Sequence, residues 1–98
     1  MSNTVNIMLA GVGGQGVLLA SEVISRAALE EGYDVKKSEV HGMAQRGGSV
    51  VSNVRFGKKV YSPLIAEGEA DILLAFEKLE ALRWINYLNE DGVIITNT

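Results

Sequence analysis

Apolar and polar positions along the chain divide it into alternating strand-like and helix-like segments. Nearly uninterrupted apolar runs at Val5 to Ala10, Ala70 to Phe76 and Val93 to Thr96 are typical of strands buried on both faces of a sheet. Apolar residues at helical spacing predict one helix from Gly14 or Gln15 through Glu31 and another from Glu77 to Asn89. This alternation predicts an α/β fold, Rossmann-like and three-layered, with a mostly parallel sheet.

The middle of the chain has a weaker and more polar pattern. Tyr33 to Val40 alternates weakly and predicts a second strand, which would complete a βαβ unit with the first. The alternation over 49–56, the turn signal Gly57-Lys58 and the short run 59–62 predict an inserted β-hairpin around 49–62. The polar, glycine-rich segment 41–48 indicates mainly a loop.

The second predicted helix has an apolar side. Its members are Leu79, Leu82, Ile85 and Leu88, and we expect this side to face the sheet. Trp84 and Tyr87 lie on the same helix, and the sequence allows them either to join the core or to stay exposed as aromatic anchors for a partner.

Composition narrows the classes of protein. The chain has 98 residues, of which 47% are hydrophobic and 21% charged, so we expect one folded unit over 1–98. A net charge of −3 argues against binding of duplex nucleic acid. With no cysteine and one histidine, the chain offers no disulfide, no thiolate-held iron–sulfur cluster and no ordinary zinc site. No targeting signal and no membrane-length apolar run is present, which predicts a cytoplasmic protein.

A glycine cluster follows the first predicted strand and opens the first helix. Its sequence matches G-x-G-x-x-G, so we expect an anion or nucleotide loop formed by Gly11, Gly13, Gly14, Gln15 and Gly16. Glu39 stands where an NAD site keeps the acid that binds a ribose hydroxyl. NAD binding is less favoured because a dinucleotide-binding fold has a helix after its second strand, whereas this sequence predicts a loop and a hairpin there. An equally open interpretation is that the glycines only permit a tight turn.

A second group of candidate residues lies in one short loop: His41, Gln45, Arg46, Gly47 and Gly48. His41 is suited to carry a proton and Arg46 to bind a carboxylate or phosphate, although such residues more often make structural or interface contacts.

Glu77 follows the strand 70–76, at the strand end where open α/β sheets bind ligands. Its alternative role is to complement the dipole of the following helix. The sequence shows no nucleophile and base pair, so we assign no catalytic residue and no metal ligand.

Three blocks of sequence occur in a familiar order: Ala10 to Val17, with its glycines; 41–50, which reads His-Gly-Met-Ala-Gln-Arg-Gly-Gly-Ser-Val; and 70–77, which reads Ala-Asp-Ile-Leu-Leu-Ala-Phe-Glu. Together they resemble the gamma-type domain of the 2-oxoacid:ferredoxin oxidoreductases, over essentially the whole chain. Family members continue with further helices beyond the last strand. We therefore expect 1–98 to be the N-terminal part of a single gamma-type domain, truncated at its C-terminus.

The resemblance implies an accessory subunit of a hetero-oligomeric enzyme. Such an enzyme oxidatively decarboxylates an aryl pyruvate such as indolepyruvate, transfers the acyl group to CoA and reduces ferredoxin. In this family the large alpha subunit holds thiamine diphosphate and the iron–sulfur clusters, which leaves this chain without a cofactor of its own. Two alternatives come from other classes: a stand-alone Rossmann-like nucleotide-binding module, and a ligand-free fragment that dimerises.

Overall fold

The structure is a computed structural model that describes residues 4–41 and 49–96. Its elements, in chain order, are β1 (Val5–Val12), α1 (Gln15–Glu30), β2 (Asp34–His41), β3 (Ser49–Gly57), β4 (Ala70–Ala75), α2 (Lys78–Trp84), a 3₁₀ turn (Ile85–Tyr87) and β5 (Leu88–Thr96). Strands alternate with helices around one sheet, which confirms the predicted α/β fold. None of the helices in these two ranges is long and apolar enough to cross a membrane.

The five strands form one sheet in the order β2-β3-β1-β4-β5. β1 pairs in parallel with β4, and β4 with β5, whereas β3 pairs antiparallel with both β1 and β2. The predicted mostly parallel sheet is confirmed in strand direction, since among the five described strands β3 alone runs the opposite way. Because β3 pairs on both sides, two of the four described pairings are antiparallel and the sheet is mixed. β1 and β2 run in the same direction, but β3 lies between them and splits the expected βαβ unit.

The predicted β-hairpin at 49–62 is also wrong. Residues 59–62 form no strand. β3 pairs instead over eight positions with β1, from Ser49 to Phe56, and over a ladder of similar length with β2. Two long ladders satisfy more backbone groups than one short hairpin can. Asp34 accepts the Val60 N–H at 2.9 Å and fixes the segment after β3; this bond and the Lys36 ammonium lower the pKa of Asp34.

The sheet carries a hydrophobic core on each face, which confirms the three layers. α1 packs against β1, β2 and β3. The core beneath it consists of Ile7, Leu9, Val17, Val50 and Val54. On the opposite face lie α2 and the segment between β3 and β4. The core there consists of Met8, Ala10, Val51, Ile65, Ala70 and Leu73.

α2 is shorter than predicted and presents a different side to the sheet. It ends at Trp84, and β5 begins at Leu88 rather than near residue 93. Leu79 and Leu82 are 67% and 68% exposed, and Ile85 is 48% exposed. The prediction that this apolar side faces the sheet is therefore wrong for these three residues, although Leu88 packs against the core.

The side of α2 that does face the sheet carries a buried carboxylate. Glu80 is 3% exposed. Its Oε1 accepts hydrogen bonds from Ser49 Oγ at 3.0 Å and from Trp84 Nε1 at 3.3 Å, and Arg83 lies 3.5 Å from its Oε2. A buried charge needs such partners, and these partners set the rotation of α2. Trp84 and Tyr87 pack against the core with ring centroids 5.6 Å apart.

We predict that Ser21→Ala lowers the free energy of unfolding by about 1–2 kcal/mol. Ser21 Oγ and Ser52 Oγ are 2.7 Å apart and both residues are fully buried, so the substitution leaves the Ser52 hydroxyl without a partner. The double variant S21A/S52A should lose less than the sum of the two single variants. Urea unfolding of the four proteins measures this, and additive losses would contradict it.

Candidate functional site

The carboxyl ends of β1 and β4 meet at one end of the sheet, where α1 and α2 begin. Glu77 Oε1 accepts the backbone N–H of Val12 at 3.0 Å. The Phe76 N–H donates to the carbonyl of Ala10 at 2.9 Å, and Ser49 at the start of β3 pairs with Val12. The first and third sequence blocks are therefore in direct contact, and β3 brings the end of the second block beside them. This is the ligand-binding end of open α/β sheets.

Two of the candidate glycines are required by packing. A Cβ on Gly11 would lie 2.8 Å from Val17 Cγ2 and 3.1 Å from Phe76 Cβ. A Cβ on Gly16 would lie 2.7 Å from Phe76 Cε2. The absence of side chains at Gly11 and Gly16 therefore lets α1 lie directly against the ends of β1 and β4. This contact accounts for both residues without any ligand.

The other two glycines are required by the turn. Gly13 and Gly14 have φ values of 86° and 77°, which favour glycine. A Cβ on Gly14 would also lie 2.8 Å from Val50 Cγ2, whereas a Cβ on Gly13 would meet nothing within 4 Å. The Gln15 N–H donates to the Gly13 carbonyl at 2.9 Å within the turn, and α1 begins where the Leu18 N–H donates to the Gly14 carbonyl at 2.9 Å.

The start of α1 keeps some features of an anion site. The helix has no side-chain cap and no acidic residue in its first turn, so its positive dipole end carries no neutralising side chain of its own. The carboxylate of Glu77, however, already binds the neighbouring Val12 N–H and adds negative charge beside the turn. Anion binding by the glycine loop stays a prediction.

The structure does not assemble a dinucleotide site of the NAD type. Such a site takes its ribose-binding acid from the strand next to β1. Here β3 occupies that place, and with strands about 4.8 Å apart β2 lies about 10 Å from β1. Glu39, on β2, lies 4.0 Å from Lys37 Nζ instead. The geometry therefore weighs against the nucleotide-binding interpretation.

One member of the second group of candidates, His41, has a described backbone position. The backbone of His41 ends β2 opposite Val50. Gln45, Arg46, Gly47 and Gly48 lie outside the described residues, so their roles stay predictions. Along the chain, the segment that contains them follows β2 and precedes β3.

Ser49 and Glu80 are site residues that the sequence did not reveal. They are 31 positions apart and form a buried hydrogen bond directly beneath the end of β1. The one local signal was the spacing of Glu80 and Trp84, which is suited to a helical contact.

The family model described as pyruvate ferredoxin/flavodoxin oxidoreductase matches residues 6–98. The chain belongs to this family. Its resemblance to the gamma-type domain is thereby confirmed, and the first and third blocks that carried the resemblance meet at the glycine loop together with Ser49 and Val50 of the second. A gamma subunit of keto/oxoacid ferredoxin oxidoreductase from Geobacter sulfurreducens has a similar fold, with a TM-score of 0.75 and 29% identity; the match covers 95% of this chain and 50% of that one.

The chain is more similar in sequence to an indolepyruvate oxidoreductase subunit than to a pyruvate synthase subunit. The chain is 54% identical over 92 residues to the indolepyruvate oxidoreductase subunit IorB of Thermococcus kodakarensis, covering 94% of the chain and 46% of the relative. It is 30% identical over 105 residues to the pyruvate synthase subunit PorC of Methanothermobacter marburgensis, covering 96% of the chain and 54% of the relative. The chain thus spans about half the length of the curated relatives it matches.

The sequence contains no cysteine. Within 4–41 and 49–96, no group of three or more histidine, aspartate or glutamate side chains is placed to hold a metal ion. The site described above therefore consists of backbone groups, glycines and the carboxylates of Glu77 and Glu80.

We predict that Gly11→Ala lowers the free energy of unfolding by about 1–3 kcal/mol, because the new methyl group overlaps Val17, which is 1% exposed. Combined with Val17→Ala, the loss should be smaller than the sum of the two single losses, because the smaller side chain makes room for the methyl group. Chemical unfolding of the single and double variants measures the effect. An unchanged stability of Gly11→Ala would show that the glycine is not needed for packing.

Proposed function

We propose that the chain is part of the small subunit of an enzyme that oxidatively decarboxylates indolepyruvate or a related aryl pyruvate. The observation that carries this is the 54% identity to an indolepyruvate oxidoreductase subunit over 94% of the chain. The 30% identity to a pyruvate synthase subunit makes pyruvate the weaker candidate substrate.

In the proposed reaction the 2-oxoacid loses carbon dioxide, its acyl group passes to CoA and the released electrons reduce ferredoxin. Thiamine diphosphate would stabilise the carbanion left by decarboxylation, and iron–sulfur clusters would carry the electrons. We assign the clusters to a large alpha subunit, because this chain has no cysteine to ligate one, and we place thiamine diphosphate with them. Ferredoxin and CoA would be met through the complex, in the cytoplasm.

We further propose that the chain contacts the large subunit through the glycine-loop end of the sheet. Exposed apolar side chains on the α2 side of this end support the proposal, because the buried centres of protein interfaces are apolar. They are Val12, Val40, Leu79 and Leu82, with exposures of 51%, 56%, 67% and 68%. Arg46 belongs to the segment that joins β2 and β3 here, and arginine is enriched in interfaces.

We predict that the protein carrying this chain co-purifies with a matching large subunit, and that the complex reduces ferredoxin in the presence of indolepyruvate and CoA. Tagged co-expression followed by spectroscopic assay of ferredoxin measures both. Pyruvate as substrate is the control and should give slower turnover. Failure to form a complex, together with tight binding of NAD, FAD, CoA or ATP by the chain alone in calorimetry, would favour a nucleotide-binding module instead.

For the interface, we predict that Arg46→Ala weakens assembly with the large subunit by about tenfold or more, as expected for a central interface arginine. Arg26→Ala is the matched control, because its side chain is 74% exposed on α1 and pairs with Glu22. Affinity measurements on both variants separate the two sites. Equal affinities for the two variants would remove Arg46 from the interface.

A further inference from the structure

β2 forms one edge of the sheet, and its outer side has no neighbouring strand among the described residues. β2 pairs with β3 at eight consecutive positions, from Asp34 to His41, without a bulge. It also contains no proline. A long, regular edge strand of this kind presents a row of backbone N–H and C=O groups with which another strand can pair. The backbone of β2 is therefore suited to accept one more strand.

The charged side chains of β2 decide which strands can pair with it, because charges on an edge discourage pairing with most other strands. The whole chain has a net charge of −3, yet the charges within 34–40 cancel. Lys36 Nζ lies 3.0 Å from Asp34 Oδ1, and Lys37 Nζ lies 2.9 Å from Glu22 Oε1 on α1. Two copies of an acidic protein can therefore meet at this edge without a net charge on either side of the contact.

The order of the charges along β2 selects one register for an antiparallel pairing with its own copy. A two-fold axis at Lys36, Lys37 or Glu39 would place that charged residue opposite itself, which is destabilising. An axis at Ser38 instead places Lys37 opposite Glu39 of the second copy, and Glu39 opposite the second Lys37. Both side chains lie on the α1 side of the sheet, where Lys37 reaches Glu22. The edge is thus complementary to itself in the register centred on Ser38.

The layers on the two faces of the sheet allow a second copy at this edge. α1 packs against β1, β2 and β3, so its axis lies near β3, the middle strand of the three. The two β3 strands would be about 14 Å apart, which exceeds the diameter of about 10 Å of a helix with its side chains. On the opposite face the Pro63 carbonyl lies 3.5 Å from Ser38 Oγ, so the two Pro63 segments would meet there. Tyr61 and Leu64, which are 84% and 62% exposed, supply apolar surface for that contact.

We propose that β2 pairs antiparallel with β2 of a second copy of this chain, about a two-fold axis at Ser38, so that the two sheets join into one. The self-complementary order of Lys37 and Glu39 carries the proposal. It gives Glu39, which the strand order keeps away from a nucleotide site, the role of an ion-pair partner between the copies. The contact requires neither a large subunit nor a substrate, so it holds or fails independently of the proposed enzymatic function.

The first test exchanges the two charges in the protein that carries this chain, without a large subunit. We expect Lys37→Glu and Glu39→Lys each to raise the Kd of the dimer by about tenfold or more, because each places like charges opposite one another at two symmetric positions. The double variant K37E/E39K has the composition of the original protein and should return the Kd to within about threefold of its value. Sedimentation equilibrium measures the four constants, and circular dichroism checks that each variant is folded.

The second test introduces a cysteine, since the chain has none of its own. The axis brings the two Ser38 Cα atoms to about 4.5–5.5 Å, within the range of a disulfide. Ser38→Cys should therefore give a disulfide-linked dimer under mild oxidation, with the bond located by peptide mapping. Val40→Cys is the control, because Val40 is 56% exposed whereas Ser38 is half-buried. The two copies of residue 40 would be about 14 Å apart, too far for a disulfide.

Three results would overturn the proposal. The first is a protein that stays monomeric at every concentration tested. The second is a dimer whose Kd ignores the single charge changes or is not restored by the double variant, which would assign the dimer to another surface. The third is equal cross-linking of the two cysteine variants, which would exclude the axis at Ser38. The cysteine comparison leaves the charges of β2 unchanged, so it decides the register even where a charge variant fails to fold.

Discussion

β3 lies inside the sheet, and its polar side chains connect the sheet to each element that covers it. Ser52 bonds to Ser21 on α1, and Ser49 bonds to Glu80 on α2. Arg55 donates to a backbone carbonyl of the segment after β3 at 2.8 Å. Because a buried polar group without a partner costs free energy, each covering element has one favoured position. The two cores then fill the space that these bonds define.

The same bonds explain which parts of the fold could be predicted from the sequence. β1, α1 and β4 have local apolar patterns that match their burial, so periodicity found them. β3 alternates polar and apolar residues, which is typical of a strand with one polar face, and this pattern predicted an inserted β-hairpin. Its serines are buried because each one forms a hydrogen bond with a residue of a covering helix. Those partners are 31 positions away along the chain, so no local sequence pattern could reveal them. Periodicity failed at α2 for the same reason, since Glu80 turns inward and Leu79 outward.

The part of the candidate site that could be predicted from the sequence is the part whose position depends only on the direction of the strands. The sequence put Glu77 at the carboxyl end of a strand, and because the carboxyl ends of parallel strands meet at one edge, Glu77 contacts the end of β1 beside the glycine loop. It could not place Glu39, because that position depends on strand order rather than on spacing along the chain. A right-handed βαβ unit brings its two strands together only when nothing is inserted between them, and here β3 is inserted.

The inserted strand also changes the meaning of the glycine pattern. In a dinucleotide fold the glycines serve a ligand held between two adjacent strands and a helix. With β3 beside β1, Val50 fills the space next to Gly14, and Phe76 fills the space next to Gly16. The turn therefore packs closely against neighbouring side chains at Gly14 and Gly16. Its backbone nevertheless needs glycines in the same pattern as a phosphate-binding loop. A sequence motif of glycines specifies that backbone, and the neighbouring strand decides whether a ligand or a side chain occupies the space it creates.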